Sequence, residues 1–506
     1  MKGMIKMKKP IVLAILDGVG LRDEIHGNAF KQANTPFIDS LFTKYPNSRI
    51  DASGEAVGLL AGIMGNSEVG HMNIGAGKIV YQPSRQINKE IEEGTFFKNV
   101  NLNGAIDRAL QNDSALHLLG LVSDAGVHSL FSHLFAIIDL AASRGVKKLY
   151  IHGFSDGRDT NPKSGIEFFR RLQKKLDEVG IGTIASVSGR YYSMDRDNRW
   201  DRIEKSYRAL VYGEAPRCES FEKAILDSYD KGVTDEFIEP VIIDENGLIK
   251  KGDVLIAFNF RPDRLRELFS AFSNPNFSGF ERECLNLDVT TLMSVSDEVI
   301  CKNAFKNQKV DSPLGVVLEQ NNKTQLRIAE TEKYAHVTYF FDGGIERDLK
   351  GCTRILCPSQ KVATYDLTPK MSAPEITEKL LNEIDKDIHD VVVLNYANGD
   401  MLGHTGNIPA TIEGLEYLDG CVQKLHDKVL EKGGLLIITA DHGNCEYMLD
   451  DNNEPVTSHT TNQVPFIICD NNYSLNDGKL SDIAPTILEI MDIKAPEEMS
   501  GHSLLK

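Results

Sequence analysis

The amino-acid sequence predicts an α/β protein built of two domains. Short runs rich in Val, Ile and Leu recur along the chain, and each ends abruptly in Asp, His, Asn or Gly, which is typical of buried parallel strands. Two of these runs are separated by an amphipathic helical pattern, which is the order of a strand–helix–strand unit. The length of 506 residues exceeds one ordinary hydrophobic core, so we expect two large units.

Three apolar runs predict strands that end in an aspartate or lead toward one. They are Ile11 to Leu16, Val391 to Leu394 and Leu435 to Thr439. Right-handed crossovers between parallel strands collect functional groups beyond the carboxyl ends of the strands. We therefore expect Asp17, Asp400 and Asp441 to lie near one another.

The segment between the last two strands predicts a helix, because its apolar residues are three or four positions apart. They are Ile412, Leu415, Leu418, Val422, Leu425 and Val429. Asn407 is suited to cap this helix, Pro409 to occupy its first turn, and Gly433-Gly434 to release the chain into the next strand. The pattern predicts one complete strand–helix–strand unit.

The middle of the chain repeats this architecture with different polar ends. Its strand-and-turn segments are LHLLGLVSDAGVHS, LYIHGFSDGRDT, IASVSGRYYSMDRD and VLIAFNFRPDR. Most of these ends carry arginine, whereas the flanking segments carry aspartate and histidine. The change in chemistry favours a separate domain in the middle of the chain.

Composition limits the class of partner and the compartment. Hydrophobic residues make up 41% and charged residues 25%, as in soluble globular enzymes. The formal net charge of −17 opposes nucleic-acid binding, which depends on Lys and Arg at phosphates. Met1 to Lys9 carries four lysines, but the apolar run that follows is too short for a signal or membrane segment. Eight scattered cysteines without a CxxC pair favour reduced thiols, so we expect a cytoplasmic protein without nucleic-acid or membrane partners.

Carboxylates and histidines after the apolar runs predict a metal site. Asp441 and His442 directly follow a strand, and Asp400 and His404 meet if their segment is helical. Each of these residues, like His459, has a commoner role alone: a surface position, a helix cap or a structural histidine. Together, carboxylates and imidazoles favour borderline ions such as Mn²⁺ or Zn²⁺, and the set is large enough for two ions.

Ser67 is the candidate nucleophile. It stands in LLAGIMGNSEVGHMNIGAGK, whose glycines permit close approach of the backbone to a ligand. Ser67 can begin a helix with its hydroxyl facing the site, although an ordinary Ser cap is the common alternative. No GK[ST] triplet follows, which disfavours nucleotide binding. Two divalent ions would balance three aspartates and an ionised Ser67.

A set of motifs in a fixed order carries a family resemblance. They are LDGVG, GNSEVGH, VSDAGVHS, DGRD, GRYYSMDRDNRW, FNFRPDR, AETEKYAHVTYFF, KVATYDL, NGDMLGHTG and ADHGN. Together they resemble cofactor-independent phosphoglycerate mutases from about residue 10 to residue 503. The resemblance implies an alkaline phosphatase-like α/β/α domain over 1–81 and 309–506, with an inserted α/β transferase domain over 82–308.

The resemblance also implies the chemistry. A phosphoserine at Ser67 would carry phosphate between 3-phosphoglycerate and 2-phosphoglycerate, without 2,3-bisphosphoglycerate, in glycolysis and gluconeogenesis. One Mn²⁺ would be bound by Asp17, Ser67, Asp441 and His442, and a second by Asp400, His404 and His459. The family expectation is a cytoplasmic monomer.

The substrate-binding residues implied by the resemblance are His128, Arg158, Asp159, Arg190, Arg196, Arg261, Arg264 and Lys333. Arginine suits carboxylate and phosphate, and the spacing of Arg261 and Arg264 beside Pro262 predicts one face of a helix start. Asp159 is a candidate for proton exchange with a glycerate hydroxyl, or else a cap or an arginine partner. Lys333 is predicted to neutralise a phosphoryl oxygen, or else to pair with Glu332.

The chain departs from the usual family pattern at Ala125, Leu130, Asp342 and Gly399. We expect Gly399 to loosen the loop bearing Asp400, and Asp342 to add charge near Lys333. Two other functions share these residues. A phosphomonoesterase or pentose phosphate mutase would keep the metal core but not the arginine-rich domain, and a non-catalytic phosphate- or metal-binding protein would not need Ser67.

Overall fold

The computed structural model describes residues 10–506. The lysine-rich segment 1–9, which begins the first predicted domain, lies outside the described residues. The strands are β1 (Ile11–Leu16), β2 (Asn47–Asp51), β3 (Leu116–Leu121), β4 (Leu149–Ser155), β5 (Thr183–Gly189), β6 (Val241–Ile242), β7 (Val254–Ala257), β8 (Asp288–Thr291), β9 (Lys302–Asn303), β10 (Gln325–Glu330), β11 (Cys352–Cys357), β12 (Val391–Tyr396), β13 (Leu435–Thr439), β14 (Val464–Ile468) and β15 (Gly478–Lys479).

The α-helices are α1 (Ala29–Gln32), α2 (Pro36–Lys44), α3 (Ser67–Ala76), α4 (Pro83–Glu92), α5 (Val100–Gln111), α6 (Phe131–Ser143), α7 (Gly165–Val179), α8 (Arg190–Ser193), α9 (Trp200–Tyr212), α10 (Phe221–Asp230), α11 (Arg266–Ser273), α12 (Leu314–Gln320), α13 (Thr331–Ala335), α14 (Ala373–Asp385), α15 (Asn398–Gly403), α16 (Ile408–Glu431) and α17 (Ile483–Ile490). Short 3₁₀ turns cover Gly54–Val57, Phe96–Lys98, Asp235–Phe237, Glu245–Gly247, Tyr365–Leu367 and Leu480–Asp482, and a π-helical turn covers His336–Phe340.

The chain divides into two compact units, each with its own sheet. Unit 1 comprises residues 10–81 and Gln308–Lys506, and unit 2 comprises Gln82–Asn307. The sheet of unit 1 has eight strands in the order β11-β10-β12-β1-β13-β14-β2-β15. The sheet of unit 2 has seven strands in the order β6-β5-β4-β3-β7-β8-β9.

The centre of the unit 1 sheet carries the three predicted strands. β1 pairs in parallel with β12 on one side and β13 on the other, and every residue of the three strands is buried. The predicted bounds of β1 and β13 are confirmed, and β12 runs two residues longer than predicted, to Tyr396. Their parallel pairing directs the carboxyl ends of all three to the same edge of the sheet.

The helix predicted between β12 and β13 is confirmed as α16. The Asn407 side chain accepts a hydrogen bond from the Ala410 N–H at 3.2 Å, and proline occupies the first turn. The apolar stripe is buried at Leu415, Leu418 and Val422. Gly433, with φ of +70°, turns the chain toward β13. Local patterning thus sufficed to define this unit.

The sheet of unit 2 is parallel except for one antiparallel edge strand, β6. The prediction that Arg261 and Arg264 lie on a helix start is wrong, because α11 begins at Arg266. The N–H groups of Phe260 and Arg261 donate to the His128 carbonyl, and a turn brings the Leu265 N–H to the Pro262 carbonyl. These bonds hold the segment as a loop beside the end of β3.

Within residues 10–506, no helix combines the length and apolar character needed to span a membrane. All eight cysteines lie in this range and are free thiols.

His133→Gln is expected to reduce the pH dependence of unit 2 stability. Burial lowers the pKa of His133 from 6.5 to about 3, so between these values the unfolded chain binds a proton that the folded chain does not. Stability therefore falls as pH drops below about 6.5, by roughly 2 kcal/mol at pH 5 for this residue. Denaturant unfolding followed by fluorescence of Trp200, the only tryptophan, measures it.

The matched control is His26→Gln, which changes an exposed histidine. We expect this variant to lose as much stability as the wild type between pH 7.5 and pH 5. Equal losses in the wild type and His133→Gln would contradict the prediction.

Candidate active site

The carboxyl ends of β1, β12 and β13, with the start of α3, bring the predicted metal-binding residues of unit 1 into one cluster. The cluster contains Asp17, Ser67, Asp400, His404, Asp441, His442 and His459, together with Lys333. Six of these eight side chains are buried, His404 is exposed and His459 is half-buried.

Ser67 is the first residue of α3, and Asn66, not Ser67, caps the helix. The Asn66 side chain accepts from the Val69 N–H at 2.9 Å, so the alternative of an ordinary Ser cap is wrong. The Ser67 Oγ instead donates to Asp17 Oδ1 at 3.3 Å and lies 3.0 Å from His442 Nε2. Its hydroxyl therefore faces the cluster.

Asp400 and His404 meet through the helical spacing that the sequence predicts. His404 Nε2 lies 3.1 Å from Asp400 Oδ1, and His459 Nε2 lies 3.2 Å from the same oxygen. The Nδ1 atoms of the two histidines bond the carbonyls of Thr457 and Gly65, at 2.7 and 2.8 Å. Because a carbonyl only accepts, each Nδ1 carries a hydrogen, so Nε2 is the nitrogen that donates to Asp400 when the ring is protonated and that can bind a metal ion when the ring is neutral.

The carboxylate oxygens and imidazole nitrogens of this cluster have the type and spacing that a divalent metal ion requires. Ligand atoms of Asp17, Asp441 and His442 lie within 4.8 Å of one another, as do those of Asp400, His442 and His459. His442 thus belongs to both groups. The buried Asp441 Oδ2 lies 3.1 Å from His71 Nδ1, but that nitrogen is directed to the Ser67 carbonyl at 2.9 Å, which leaves a carboxylate oxygen that can bind an ion. Carboxylate oxygens with imidazole nitrogens suit borderline ions.

Lys333 places an ammonium group among these carboxylates. Its Nζ lies 2.8 Å from Asp17 Oδ1, 2.7 Å from Ser67 Oγ and 2.6 Å from Asp400 Oδ2. The alternative pairing with Glu332 is wrong, because Lys333 pairs with Asp17 and Asp400, whereas the Glu332 carboxylate accepts from the Tyr365 hydroxyl. A buried cation beside the Ser67 hydroxyl can neutralise negative charge that develops there.

The charges of this cluster shift one another's pKa values. Burial lowers the pKa of Lys333, but Asp17 and Asp400 outweigh burial and raise it above its ordinary value. Burial and the Asp441 carboxylate raise the pKa of Asp17. Burial also opposes ionisation of Asp400, yet Lys333 together with the neighbouring histidines outweighs burial and holds the pKa of Asp400 well below its usual range. The cluster is thus a set of interdependent charges rather than separate surface groups.

Unit 2 holds a second polar cluster at the carboxyl ends of its own strands. Arg190, at the start of α8, donates through Nη1 to Asp159 at 2.5 Å and to Asp156 at 2.7 Å. Its Nη2 lies 3.0 Å from His128 Nε2. Burial and then Arg190 lower the pKa of His128 to about 4, so this histidine is neutral at pH 7. The alternative of Asp159 as an arginine partner matches these contacts.

The remaining predicted arginines of unit 2 present exposed or partly exposed guanidinium groups. Arg196 and Arg261 each lie 3.2 Å from Asp263, and Arg158 lies 3.5 Å from Glu236. Arg264 donates to the Met194 carbonyl at 3.0 Å. Burial and then the charges of Arg190, Arg196 and Arg158 lower the pKa of Arg264, which shows that these cations share one neighbourhood. Such a cluster suits a small carboxylate or phosphate.

Comparisons with known proteins agree with this geometry. A family model described as "Metalloenzyme superfamily" matches residues 9–495. The 2,3-bisphosphoglycerate-independent phosphoglycerate mutase of Clostridium novyi (strain NT) is 51% identical over 509 residues, which cover 99% of this chain and 100% of that protein. The chain belongs to the 2,3-bisphosphoglycerate-independent phosphoglycerate mutase family.

Further relatives support the same membership. The phosphoglycerate mutase of Staphylococcus aureus (strain MRSA252) with the same description is 48% identical over 502 residues, covering 99% of each chain. A crystal structure of Leishmania mexicana phosphoglycerate mutase, obtained at low cobalt concentration, superposes with a TM-score of 0.62 at 31% identity, covering 99% of this chain and 98% of that one. The predicted family, isomerase class and α/β fold are confirmed, and the mutase is a metalloenzyme.

Several buried residues that contact the unit 1 cluster were not predicted from the sequence. Asn395 donates to Asp17 Oδ2 at 2.7 Å, Asn444 donates to Asp400 Oδ1 at 2.8 Å, and His71 lies 3.1 Å from Asp441 Oδ2. His71 and Asn444 belong to the motifs GNSEVGH and ADHGN, so their location within a family motif could have identified them as site residues. Asn395 lies within a strand, where no pattern distinguished it.

Two acidic residues of unit 2 were also missed. Asp156 is buried and accepts from Ser123 Oγ at 2.5 Å as well as from Arg190. Asp263 lies between the two arginines of FNFRPDR and has ion-pair contacts with Arg196 and Arg261. Both stand beside residues that the resemblance selected, but only the fold shows that they hold the arginines in place.

Gly399 and Asp342, two of the departures from the family pattern, do not have the predicted effects of loosening a loop and adding charge near Lys333. Gly399 is buried in α15, and a Cβ there would lie 2.6 Å from the Asp17 carbonyl, so it permits close packing rather than a loose loop. Asp342 lies 3.7 Å from Arg327 and 3.6 Å from Arg354. Its ion pairs are with these arginines and not with Lys333.

Proposed function

We propose that this mutase interconverts 3-phosphoglycerate and 2-phosphoglycerate through a phosphoserine at Ser67. The observation that supports this most directly is the environment of the Ser67 hydroxyl. It is buried, plays no capping role, and lies within hydrogen-bond distance of Lys333 Nζ and His442 Nε2. A hydroxyl surrounded by a cation and candidate metal ligands is suited to nucleophilic attack.

We propose that two Mn²⁺ ions bind to this cluster. Asp17, Ser67, Asp441 and His442 would hold one, and Asp400, His404 and His459 the other. The bound ions would lower the pKa of the Ser67 hydroxyl and neutralise the transferring phosphoryl group. The position of His442 in both groups of donor atoms is consistent with ions that share one site.

In the proposed reaction, Ser67 Oγ attacks the phosphorus of 3-phosphoglycerate in line with the ester oxygen. The Oγ–P bond forms, the ester P–O bond breaks, and glycerate leaves as the alcohol after taking up a proton. Lys333 stabilises the negative charge on the phosphoryl oxygens. Glycerate then shifts, its 2-hydroxyl oxygen attacks the phosphoserine phosphorus, the Oγ–P bond breaks, and Ser67 Oγ is restored. Asp159 gives a proton to the 3-oxygen in the first transfer and takes the proton of the 2-hydroxyl in the second. No 2,3-bisphosphoglycerate enters this scheme.

We propose that unit 2 is the inserted transferase domain and holds the glycerate. His128, Arg158, Asp159, Arg190, Arg196, Arg261 and Arg264 would form its substrate site. Arg190 is positioned by Asp156 and Asp159, whereas Arg196 and Arg261 keep half-exposed guanidinium groups that a carboxylate can reach. We also propose a cytoplasmic monomer that acts in glycolysis and gluconeogenesis on small molecules.

The function is tested by assaying the purified chain on 3-phosphoglycerate with Mn²⁺ and without bisphosphoglycerate. A mutase forms 2-phosphoglycerate, a phosphomonoesterase releases inorganic phosphate, and a binding protein does neither. Release of phosphate without 2-phosphoglycerate would contradict the proposal.

Arg261→Ala is expected to shift the mutase toward phosphatase activity. Phosphoserine can pass its phosphate to glycerate or to water, so weaker retention of glycerate favours hydrolysis. Loss of one charge-assisted contact costs roughly 1.5–3 kcal/mol, enough to change the partition about ten-fold or more. Inorganic phosphate released per 2-phosphoglycerate formed, measured in the same samples, gives the ratio. Asp159→Asn should act in the same direction.

The control is Arg170→Ala, which removes an arginine of similar exposure from α7, with side-chain exposures of 48% for Arg170 and 47% for Arg261. We expect Arg170→Ala to leave the ratio unchanged. If both rates fall together in Arg261→Ala and the ratio stays at the wild-type value, the retention proposal is wrong.

A further inference from the structure

Glu446 is a buried carboxylate with an unusual set of partners. Its side chain is fully buried, and no Lys, Arg or His of the described chain lies within 4 Å of the carboxylate. A buried carboxylate normally requires such a cation or several hydrogen bonds. Glu446 has the second arrangement, because four donors converge on its two oxygens.

The four donors come from three separate segments of unit 1. The N–H groups of Gly20 and Asn444 donate to Oε2, at 3.1 and 2.8 Å. Oε1 accepts from the Thr460 hydroxyl, and from Asn462 Nδ2 at 3.0 Å. Each segment also carries proposed metal ligands: Asp17 precedes Gly20, Asp441 and His442 precede Asn444, and His459 precedes Thr460.

The same network reaches the remaining aspartate of the cluster. Asn444, whose N–H is bonded to Glu446, donates through its side chain to Asp400 Oδ1 at 2.8 Å. The Thr460 N–H donates to the Gly443 carbonyl at 3.0 Å, which joins two of the three segments directly. Glu446 thus lies where the backbone segments of all proposed aspartate ligands are linked.

Two glycines leave the space that this carboxylate occupies. A Cβ at Gly20 would lie 2.3 Å from Glu446 Cδ, and a Cβ at Gly443 would lie 2.3 Å from Glu446 Oε1. The backbone can approach the carboxylate this closely only because neither residue has a side chain. Any alanine here must displace Glu446 or the segment that carries it.

We propose that Glu446 is a positioning residue that fixes the three ligand-bearing segments in the geometry needed for metal binding. The proposal rests on the metal ligands assigned under the proposed function. A carboxylate offers acceptors only, which matches four donors. In Glu446→Gln, an amide NH₂ would face two donors whichever way it is turned, so two of the hydrogen bonds are lost.

The first test is Mn²⁺ affinity of the purified chain without substrate, measured by calorimetry. Glu446→Gln is expected to raise the dissociation constant roughly 10- to 100-fold, the usual effect of losing a partner that orients metal ligands. The control is Asp419→Asn, because Asp419 is another buried carboxylate that accepts backbone N–H groups, those of Phe37 and Ile38, at 3.2 and 2.7 Å. It should bind Mn²⁺ as the wild type does. Equal weakening in both variants would overturn the proposal.

Amide hydrogen exchange of the metal-free proteins gives a readout that is independent of activity. Exchange at Gly20 and Asn444 should be faster in Glu446→Gln than in the wild type, with unchanged protection in β1 and β13. Unchanged exchange at these two amides would overturn the proposal. Gly20→Ala tests the same contact from the other side should Glu446→Gln not fold. Its control is Gly420→Ala, since nothing lies within 4 Å of a Cβ at Gly420.

Asp441→Asn separates this proposal from the ligand assignment on which it rests. If Asp441→Asn loses Mn²⁺ while Glu446→Gln binds it normally, the ligands are correct and the positioning role is wrong. If Asp441→Asn binds Mn²⁺ as tightly as the wild type, the ligand set fails, and the proposal fails with it.

Discussion

Ser67→Ala is expected to abolish isomerisation while the chain remains folded. The change removes the proposed nucleophile but only one buried oxygen, and the cap of α3 is kept because Asn66 provides it. Loss of a nucleophile lowers turnover by on the order of 10⁴-fold or more. The rate of 2-phosphoglycerate formation measures the loss. Labelled 3-phosphoglycerate with an acid quench should mark the wild type at Ser67 and leave the variant unlabelled.

The control is Ser48→Ala, which removes a buried hydroxyl from β2 of the same unit. Among residues 10–506, Ser48 Oγ has no hydrogen-bond partner, so its loss should affect neither turnover nor labelling. Label recovered from any other residue of the wild type would refute the assignment of Ser67.

Removal of divalent metal is expected to eliminate activity, and added Mn²⁺ is expected to restore it. Chelator-treated enzyme assayed before and after metal addition measures the effect. Without an ion, Asp17, Asp400 and Asp441 are balanced mainly by Lys333, and the phosphoryl group would meet excess negative charge. Full activity in the presence of chelator would exclude a metal-dependent reaction.

The same site predicts loss of activity as the pH falls. A hydrogen bond to Asp400 raises the pKa of His404, and Asp400 outweighs burial to raise the pKa of His459. Both rings therefore hold protons up to higher pH than an ordinary histidine, and protons compete with metal. The acid loss should reverse on neutralisation, leave far-ultraviolet circular dichroism unchanged and shift to lower pH with more Mn²⁺. His404→Gln should weaken Mn²⁺ binding, whereas His502→Gln, at an exposed position, should not.

The elements that the sequence predicted well are those encoded by local apolar patterns. β1, β13 and α16 depend on residues within one strand or helix, and buried parallel strands read as unbroken apolar runs. The prediction for the Arg261 segment was wrong because long-range contacts, and not the local pattern, decide its conformation. Its spacing favoured a helix, but hydrogen bonds from this segment to the distant His128 carbonyl hold it as a loop.

The sequence by itself determined the family and the fold class and predicted the candidate metal ligands, because ordered motifs and strand-end residues are visible in one dimension. Only the tertiary structure decided which side chains act together. Lys333 contacts Asp17 across 316 positions of the chain, and Glu446 contacts Gly20 across 426. Nothing local to Lys333 distinguishes a partner of Glu332 from a cation among three aspartates, and nothing local to Glu446 distinguishes a surface carboxylate from a buried one. Their roles depend on burial and on donors brought together by β1, β12 and β13, and such long-range contacts form only when the sheet assembles.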